Sequence, residues 1–203
     1  MASLRHIEDP RRDAYLDAAR DCILDVGWRR TTLTEVARRA GVSRMTIYRA
    51  WSDMDRLLGD LMTREWGSVV AGTLVGAEPA GDPVTALARG LADTVAELRD
   101  NELFVRIVEL DPELLLPYLL SRRGRSQEAL LVLLHDRIEA GQRARAMRAG
   151  NAGAMARALL LASHGFVFSA HTMLDGTPDD GGQVTEDDLD TELVRLVEGL
   201  LRP

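Results

Sequence analysis

From Thr32 to Trp51 the chain reads Thr-Leu-Thr-Glu-Val-Ala-Arg-Arg-Ala-Gly-Val-Ser-Arg-Met-Thr-Ile-Tyr-Arg-Ala-Trp, and no other stretch narrows the possible folds as much. Leu33, Val36, Ala37 and Ala40 recur at helical spacing and form one apolar face. Thr32 followed three residues later by Glu35 fits a capping box at the start of that helix. Gly41 suits the left-handed conformation that ends a helix, Val42 plugs the turn, and Ser43 is a natural N-cap for a second helix. This second helix, about Arg44 to Trp51, buries Ile47 and Trp51 and exposes Arg44, Met45, Thr46, Tyr48 and Arg49. Two short helices joined by Gly41-Val42-Ser43 are the sequence form of a helix-turn-helix, whose second helix lies in the major groove of DNA. The blander reading is a buried helical hairpin with a solvated arginine face. Turn, caps and small residues coinciding in one frame favour the helix-turn-helix.

Side-chain chemistry assigns roles within this motif. Arg44 matches the O6 and N7 acceptors of guanine, and Met45 and Thr46 suit the methyl group of thymine. Tyr48, Thr34 and the Ser43 N-cap region suit contact with phosphates, which fix register without reading sequence, and Thr32 and Arg49 are further candidates for DNA contact. From Gly27 to Ala50 there are six arginines (29, 30, 38, 39, 44 and 49) against one acid, Glu35, whereas the whole chain carries a net charge of −7. A basic patch on an acidic protein localises attraction to nucleic acid and predicts a steep dependence of affinity on salt.

Residues 11 to 62 resemble the DNA-binding domain of the tetracycline-repressor (TetR) family. The resemblance rests on an opening amphipathic helix ending at Gly27, then Thr31-Thr32-Leu33-Thr34-Glu35-Val36-Ala37, Ala40-Gly41-Val42-Ser43, Ile47-Tyr48 and Trp51. Met54 stands where that family often places a phosphate-gripping lysine, which leaves Arg56 or Arg49 to serve there. The resemblance implies an all-α chain with a DNA-binding domain over residues 1–52 and an effector-binding and dimerisation domain over 53–203. It also implies a homodimer joined through its last two helices, a palindromic double-stranded DNA operator, and release by a small effector. No cofactor is implied.

Composition agrees with a globular chain, 46% hydrophobic and 28% charged. All 25 basic residues are arginine, a side chain that favours bidentate contacts to phosphate and guanine. A single cysteine, Cys22, excludes an internal disulfide and reads as a buried thiol. Met1 to Asp9 is polar and has no signal-peptide character, and the apolar stretch Ala154 to Leu174 is interrupted by Arg157, His164 and His171. The expected location is the cytoplasm.

Helical periodicity continues to the C-terminus with no strand alternation and no internal repeat. Tyr15, Ala18, Ala19, Cys22, Ile23 and Val26 form the inner face of the opening helix, and Leu57, Leu58, Leu61 and Met62 that of a linking helix. Gly76 to Asp82 and Gly176 to Val184 read as loops, and Thr185 with Asp188 caps a final helix. The helix from Asn151 shows two apolar stripes: Met155, Leu159, Ala162, Phe166, Ala170 and Met173, and then Leu160, His164, Val167, His171 and Leu174. The final helix carries Leu189, Leu193, Leu196, Val197 and Leu200. One stripe of the Asn151 helix can pack on its own body, whereas the other and the stripe of the final helix ask for a second copy; the alternative is a monomer that buries both internally.

Trp66, Phe104, Tyr118, His135, His164 and Phe168 are the candidates for contact with a small hydrophobic effector, because apolar cavities with a few polar groups suit such ligands. As plain core or interface residues they would look the same. His164, His171 and Asp175 fall at spacings that chance also produces, and no metal is assigned to them. The chain lacks a Gly-x-Ser-x-Gly elbow, a phosphate-cradling glycine loop and a His-Glu-x-x-His pair, which argues against an enzyme. A DNA-binding transcriptional regulator, most often a repressor in the resembling family, is the leading expectation. The alternative is a helix-turn-helix accessory or architectural protein without ligand control.

Overall fold

Spacings of three and four between apolar residues recur from Leu16 to Leu201. The computed structural model, which describes residues 10–75, 81–174 and 183–203, converts them into helices with no strand among the described residues. Packing divides the chain into two units that interleave along the sequence, Met1–Gly67 with Asp100–Ser126, and Ser68–Arg99 with Gln127–Pro203.

The first unit holds α1 (Pro10–Val26), α2 (Leu33–Arg39), α3 (Arg44–Ala50), most of α4 (Met54–Val70), α6 (Glu102–Leu110) and α7 (Leu116–Leu120). Its core draws Leu16, Ala19, Cys22 and Ile23 from α1, Leu33, Val36 and Ala37 from α2, and Ile47 from α3. Leu57 and Leu61 of α4 join Leu103 and Ile107 of α6. Each such leucine or isoleucine contributes about 1.5–3 kcal/mol by leaving water. After α1 the chain turns at Gly27, whose φ of 82° would strain any side chain, into a short 3-10 turn, Trp28–Arg30. The buried carboxylate of Asp111 accepts from the Trp28 backbone N–H at 3.0 Å and fastens this turn to the end of α6.

The second unit is built around α5 (Pro83–Arg99), packed against α9 (Ala152–Ser169) and α10 (Glu186–Leu201), with most of α8 (Arg125–Arg143) in the same unit. Gly90 lets the Ala71–Val75 turn approach α5 closely. A Cβ there would sit 2.7 Å from Leu74 Cδ2 and 3.0 Å from the Thr73 carbonyl oxygen. Thr185 and Asp188 form a full capping box at the head of α10, as the sequence led us to expect.

Several expectations need correction. Val26 is 43% exposed, since it lies on the last turn of α1 beyond the reach of the core. Only half of the capping box at α2 forms. Thr32 accepts from the Glu35 backbone N–H at 3.2 Å, while the Glu35 carboxylate pairs with Arg38 instead of reaching back. The helix after Asn151 ends at Ser169 and tightens into a 3-10 turn, Ala170–Met173.

The stripes of α9 and α10 are also apportioned differently. Met155, Leu159, Leu160 and Val167 are buried within the chain, as are Leu193 and Val197, because α5 covers them. The outward face of α9 is instead Ala154, Ala158, Leu161 and Gly165, a small-residue stripe in neither expected set, with Leu161 70% exposed. Ala152–Met173 is the single segment among the described residues long and apolar enough to cross a membrane, by length and composition only. Its apolarity is partly accounted for by packing on α5 and α10. Asp175 and the loop residues 76–80 and 176–182 lie outside the described residues, as does Met1 to Asp9.

Candidate nucleic-acid interface

The turn between α2 and α3 is built as its residues require. Gly41 takes φ 67°, the Val42 N–H donates to the Ala37 carbonyl at 3.0 Å, and the Ser43 hydroxyl accepts from the Thr46 backbone N–H at 3.2 Å. Ser43 and Thr46 also share a hydroxyl–hydroxyl hydrogen bond of 2.9 Å. Cap duty uses a lone pair on Ser43 and on Thr32.

Helix α3 is anchored on one side only. Ile47 is fully buried, and the Trp51 indole, 2% exposed, donates from Nε1 to Asp60 Oδ2 at 2.8 Å. Tyr15 meets the Trp51 ring edge-on at 6.4 Å, and the Arg12 guanidinium lies over that ring at 4.5 Å. Asp60 also accepts from Arg12 and Arg125. Burial pushes its pKa up, but hydrogen bonds from Arg125, Trp51 and Arg12 outweigh that and hold the carboxyl below its ordinary range. This cluster joins residues 48 and 65 positions apart, and sequence reasoning missed it; only the buried acid among apolar neighbours on α4 hints at it.

On the opposite side of α3, Met45 is 62% exposed and Tyr48 50%, and Arg44 and Arg49 are exposed too. Thr46 and Thr34 are half-buried, whereas Thr32 and Ser43 are exposed. The seven residues of α3 thus present two cations, a thioether and a phenol to solvent from a fixed base.

The local positive charge is smaller than the sequence count suggests. Arg29 pairs with Glu113 and Asp111, Arg38 with Glu35, and Arg39 with Asp25. Three of the six arginines are therefore matched by acids, and the partners of Arg29 come from far along the chain. Arg30, Arg44 and Arg49 have no carboxylate partner among the described residues. Met54 is half-buried, and the nearby Arg56 is 75% exposed with Asp53 at 3.8 Å.

The effector candidates fall into separate groups. In the first unit Trp66 meets Phe104 edge-on at 6.1 Å, and Trp66 Nε1 is buried with no acceptor among the described residues. Tyr118 lies in a cleft beneath the Arg122 guanidinium, 4.9 Å from it. In the second unit His164 and Phe168 stack edge-on at 6.1 Å, His164 Nε2 is 3.1 Å from Gln127 Nε2, and burial lowers the His164 pKa. His135 is half-exposed beside Asp136 and Glu139. Among the described residues no three His, Cys, Asp or Glu side chains group as a metal site.

A family model described as bacterial regulatory proteins, tetR family, matches residues 16–61. An uncharacterised HTH-type transcriptional regulator of Mycobacterium bovis is 34% identical over 171 residues, 84% of this chain and 87% of its own length. Among solved structures, the R. erythropolis transcriptional repressor QsdR from the TetR family superposes with a TM-score of 0.66 at 15% identity. That match covers 96% of this chain and 97% of QsdR. RolR in complex with resorcinol superposes with a TM-score of 0.66 at 13% identity, over 95% of this chain and 88% of RolR. These structures share the fold; the family model and the Mycobacterium relative carry the assignment. The chain belongs to the tetR family of bacterial regulatory proteins, helix-turn-helix regulators of transcription and not enzymes.

Proposed function

We propose that this regulator is a repressor that grips a palindromic operator as a homodimer and lets go when a small hydrophobic effector binds. The observation that carries the reading is α3 itself, anchored through Ile47 and Trp51 while Arg44, Met45, Tyr48 and Arg49 face outward. Arg44 reads a guanine, Met45 and Thr46 contact a thymine methyl, and Thr32, Thr34, Ser43, Tyr48 and Arg49 hold phosphates. Residues 1–52 serve as reader and 53–203 as effector-binding and dimerising body. The work takes place in the cytoplasm, where the DNA is.

Dimerisation is supported by the outward stripe Ala154, Ala158, Leu161 and Gly165 on α9 and by Leu196, 47% exposed, on α10. A Cβ at Gly165 or Gly199 would meet nothing within 4 Å, so both faces leave room for close approach of another helix. The two heads then address half-sites one helical turn apart, about 34–36 Å, and the effector favours a spacing out of step with them. For the effector, Trp66 and Phe104 are the foremost candidates, because the buried Trp66 N–H suits a ligand acceptor. Tyr118, His135, His164 and Phe168 stay candidates individually. RolR, whose structure holds resorcinol, supports a small aromatic ligand within this fold.

Selection of bound sequences from random DNA by the purified protein tests the reading. A two-fold symmetric motif is expected, and Arg44→Ala should relax one base position and weaken binding by about 1–3 kcal/mol. If Arg44→Ala reads the same bases as tightly as wild type, direct readout by α3 is wrong. Recovery of no shared motif would favour the accessory or architectural alternative.

A further inference from the structure

We propose that a cleft of about 450 Å³ behind the recognition helix, bordered by Arg12, Trp51, Arg56, Tyr118, Arg122 and Arg125, binds a small organic dianion, either phosphorylated or doubly carboxylated. The volume is that of a small-molecule site. Four guanidiniums line it against two carboxylates, Asp55 and Asp60, an excess of two positive charges in a chain whose overall charge is −7. Asp60 has no oxygen to spare, because Oδ1 takes Arg125 and Oδ2 takes Arg12 and the Trp51 indole.

Arg122 is held in position by a neutral partner. Its guanidinium stacks over the Tyr118 ring at 4.9 Å and reaches the Tyr118 hydroxyl at 3.4 Å, and no carboxylate pairs with it among the described residues. Among the described residues Arg56 has only Asp53, at 3.8 Å, both side chains being well exposed, so that pair is weak. Arg12 Nε is buried and lacks an acceptor among the described residues. Two forked cations with spare donors flank one recess, the arrangement that bidentate oxyanion recognition asks for. The recess reaches down to Trp51. An occupant would tie the junction of α3 and α4, at Ala50, Trp51 and Arg56, to α7 and the first turn of α8, at Tyr118, Arg122 and Arg125. It would thereby set the position of the recognition helix. The site adds a second, charged ligand to the repressor function and does not depend on it.

The test uses the full chain without DNA, at constant ionic strength, in isothermal titration calorimetry with inorganic phosphate and with succinate as probes. Both should bind one equivalent and compete with each other, while the neutral diamide succinamide gives no binding. Arg122→Gln and Arg56→Gln should each weaken phosphate and succinate by about 10- to 100-fold, the loss of a charge-assisted hydrogen bond or two. Arg195→Gln, on the exposed face of α10, should match wild type. Both cleft arginines are exposed, so the variants keep the fold, which an unchanged circular dichroism spectrum verifies. Absence of binding, or equal binding by wild type and Arg122→Gln, overturns the proposal. So does a loss of affinity for duplex DNA in Arg122→Gln with phosphate binding unaltered, since the cleft would then serve the DNA backbone.

Discussion

Asp60 is where a single side-chain change should reach furthest. In Asp60→Ala the Trp51 indole N–H is stranded in a buried setting, which costs about 1–3 kcal/mol. Arg12, one third exposed, loses its partner for about 1 kcal/mol more, and Arg125, 60% exposed, adds less than about 1 kcal/mol. The sum is about 3 kcal/mol, or a fall in melting temperature of roughly 6–12 °C for a chain of this size. Asp60→Asn keeps an acceptor for Trp51 and should lose about half as much. Trp28, Trp51 and Trp66 all lie in the first unit, so tryptophan fluorescence during urea unfolding reports on the unit that holds Asp60. The pH dependence has a definite sign. A carboxyl held below its ordinary pKa of 3.8 stabilises the fold above that value and ceases to do so as pH falls through its lower folded value. The gap between wild type and Asp60→Ala should therefore be constant above about pH 5 and close only in stronger acid. A loss under about 0.5 kcal/mol, or a gap that closes between about pH 6 and 8, would refute the assignment of a clamped, ionised Asp60.

Three other outcomes are set by the geometry. Gly41→Ala places a side chain at φ 67° in open space, so the cost is conformational alone, about 1–2 kcal/mol by denaturant titration. Cys22 is buried and burial raises its pKa, so it should react with iodoacetamide only through the small population of opened protein, and prompt alkylation at neutral pH would contradict that. Leu161→Glu puts a charge on the outward stripe of α9 and should turn a dimer into a monomer by sedimentation equilibrium without lowering monomer helicity; an unchanged dimer would place the interface elsewhere.

The reader was legible in the sequence because its signals are local. Gly41, Ser43, Ile47 and Trp51 act within a few residues of one another, and each does in the structure what its chemistry suggests. Helix positions were legible for the same reason, since the apolar period of α5 or α10 is written in consecutive turns. What the sequence obscured depends on partners far along the chain. Arg29 looks like a free cation until Glu113 and Asp111 are brought beside it, and Leu193 and Val197 look unpartnered until α5 covers them. The arginine cleft is equally non-local, since Arg12 and Tyr118 share nothing in sequence that links them.

The pairing of Arg29, Arg38 and Arg39 with acids also limits how strongly dissolved ions can compete with DNA. An arginine already neutralised by a neighbour displaces few ions from the atmosphere around the duplex. With Arg30, Arg44 and Arg49 left unmatched, the log–log slope for one bound chain should be no steeper than about −3, and not the about −5 that counting all six arginines would give. A fourfold rise in salt should therefore weaken the grip of one chain by about 40-fold, where six free arginines would lose about 2,000-fold.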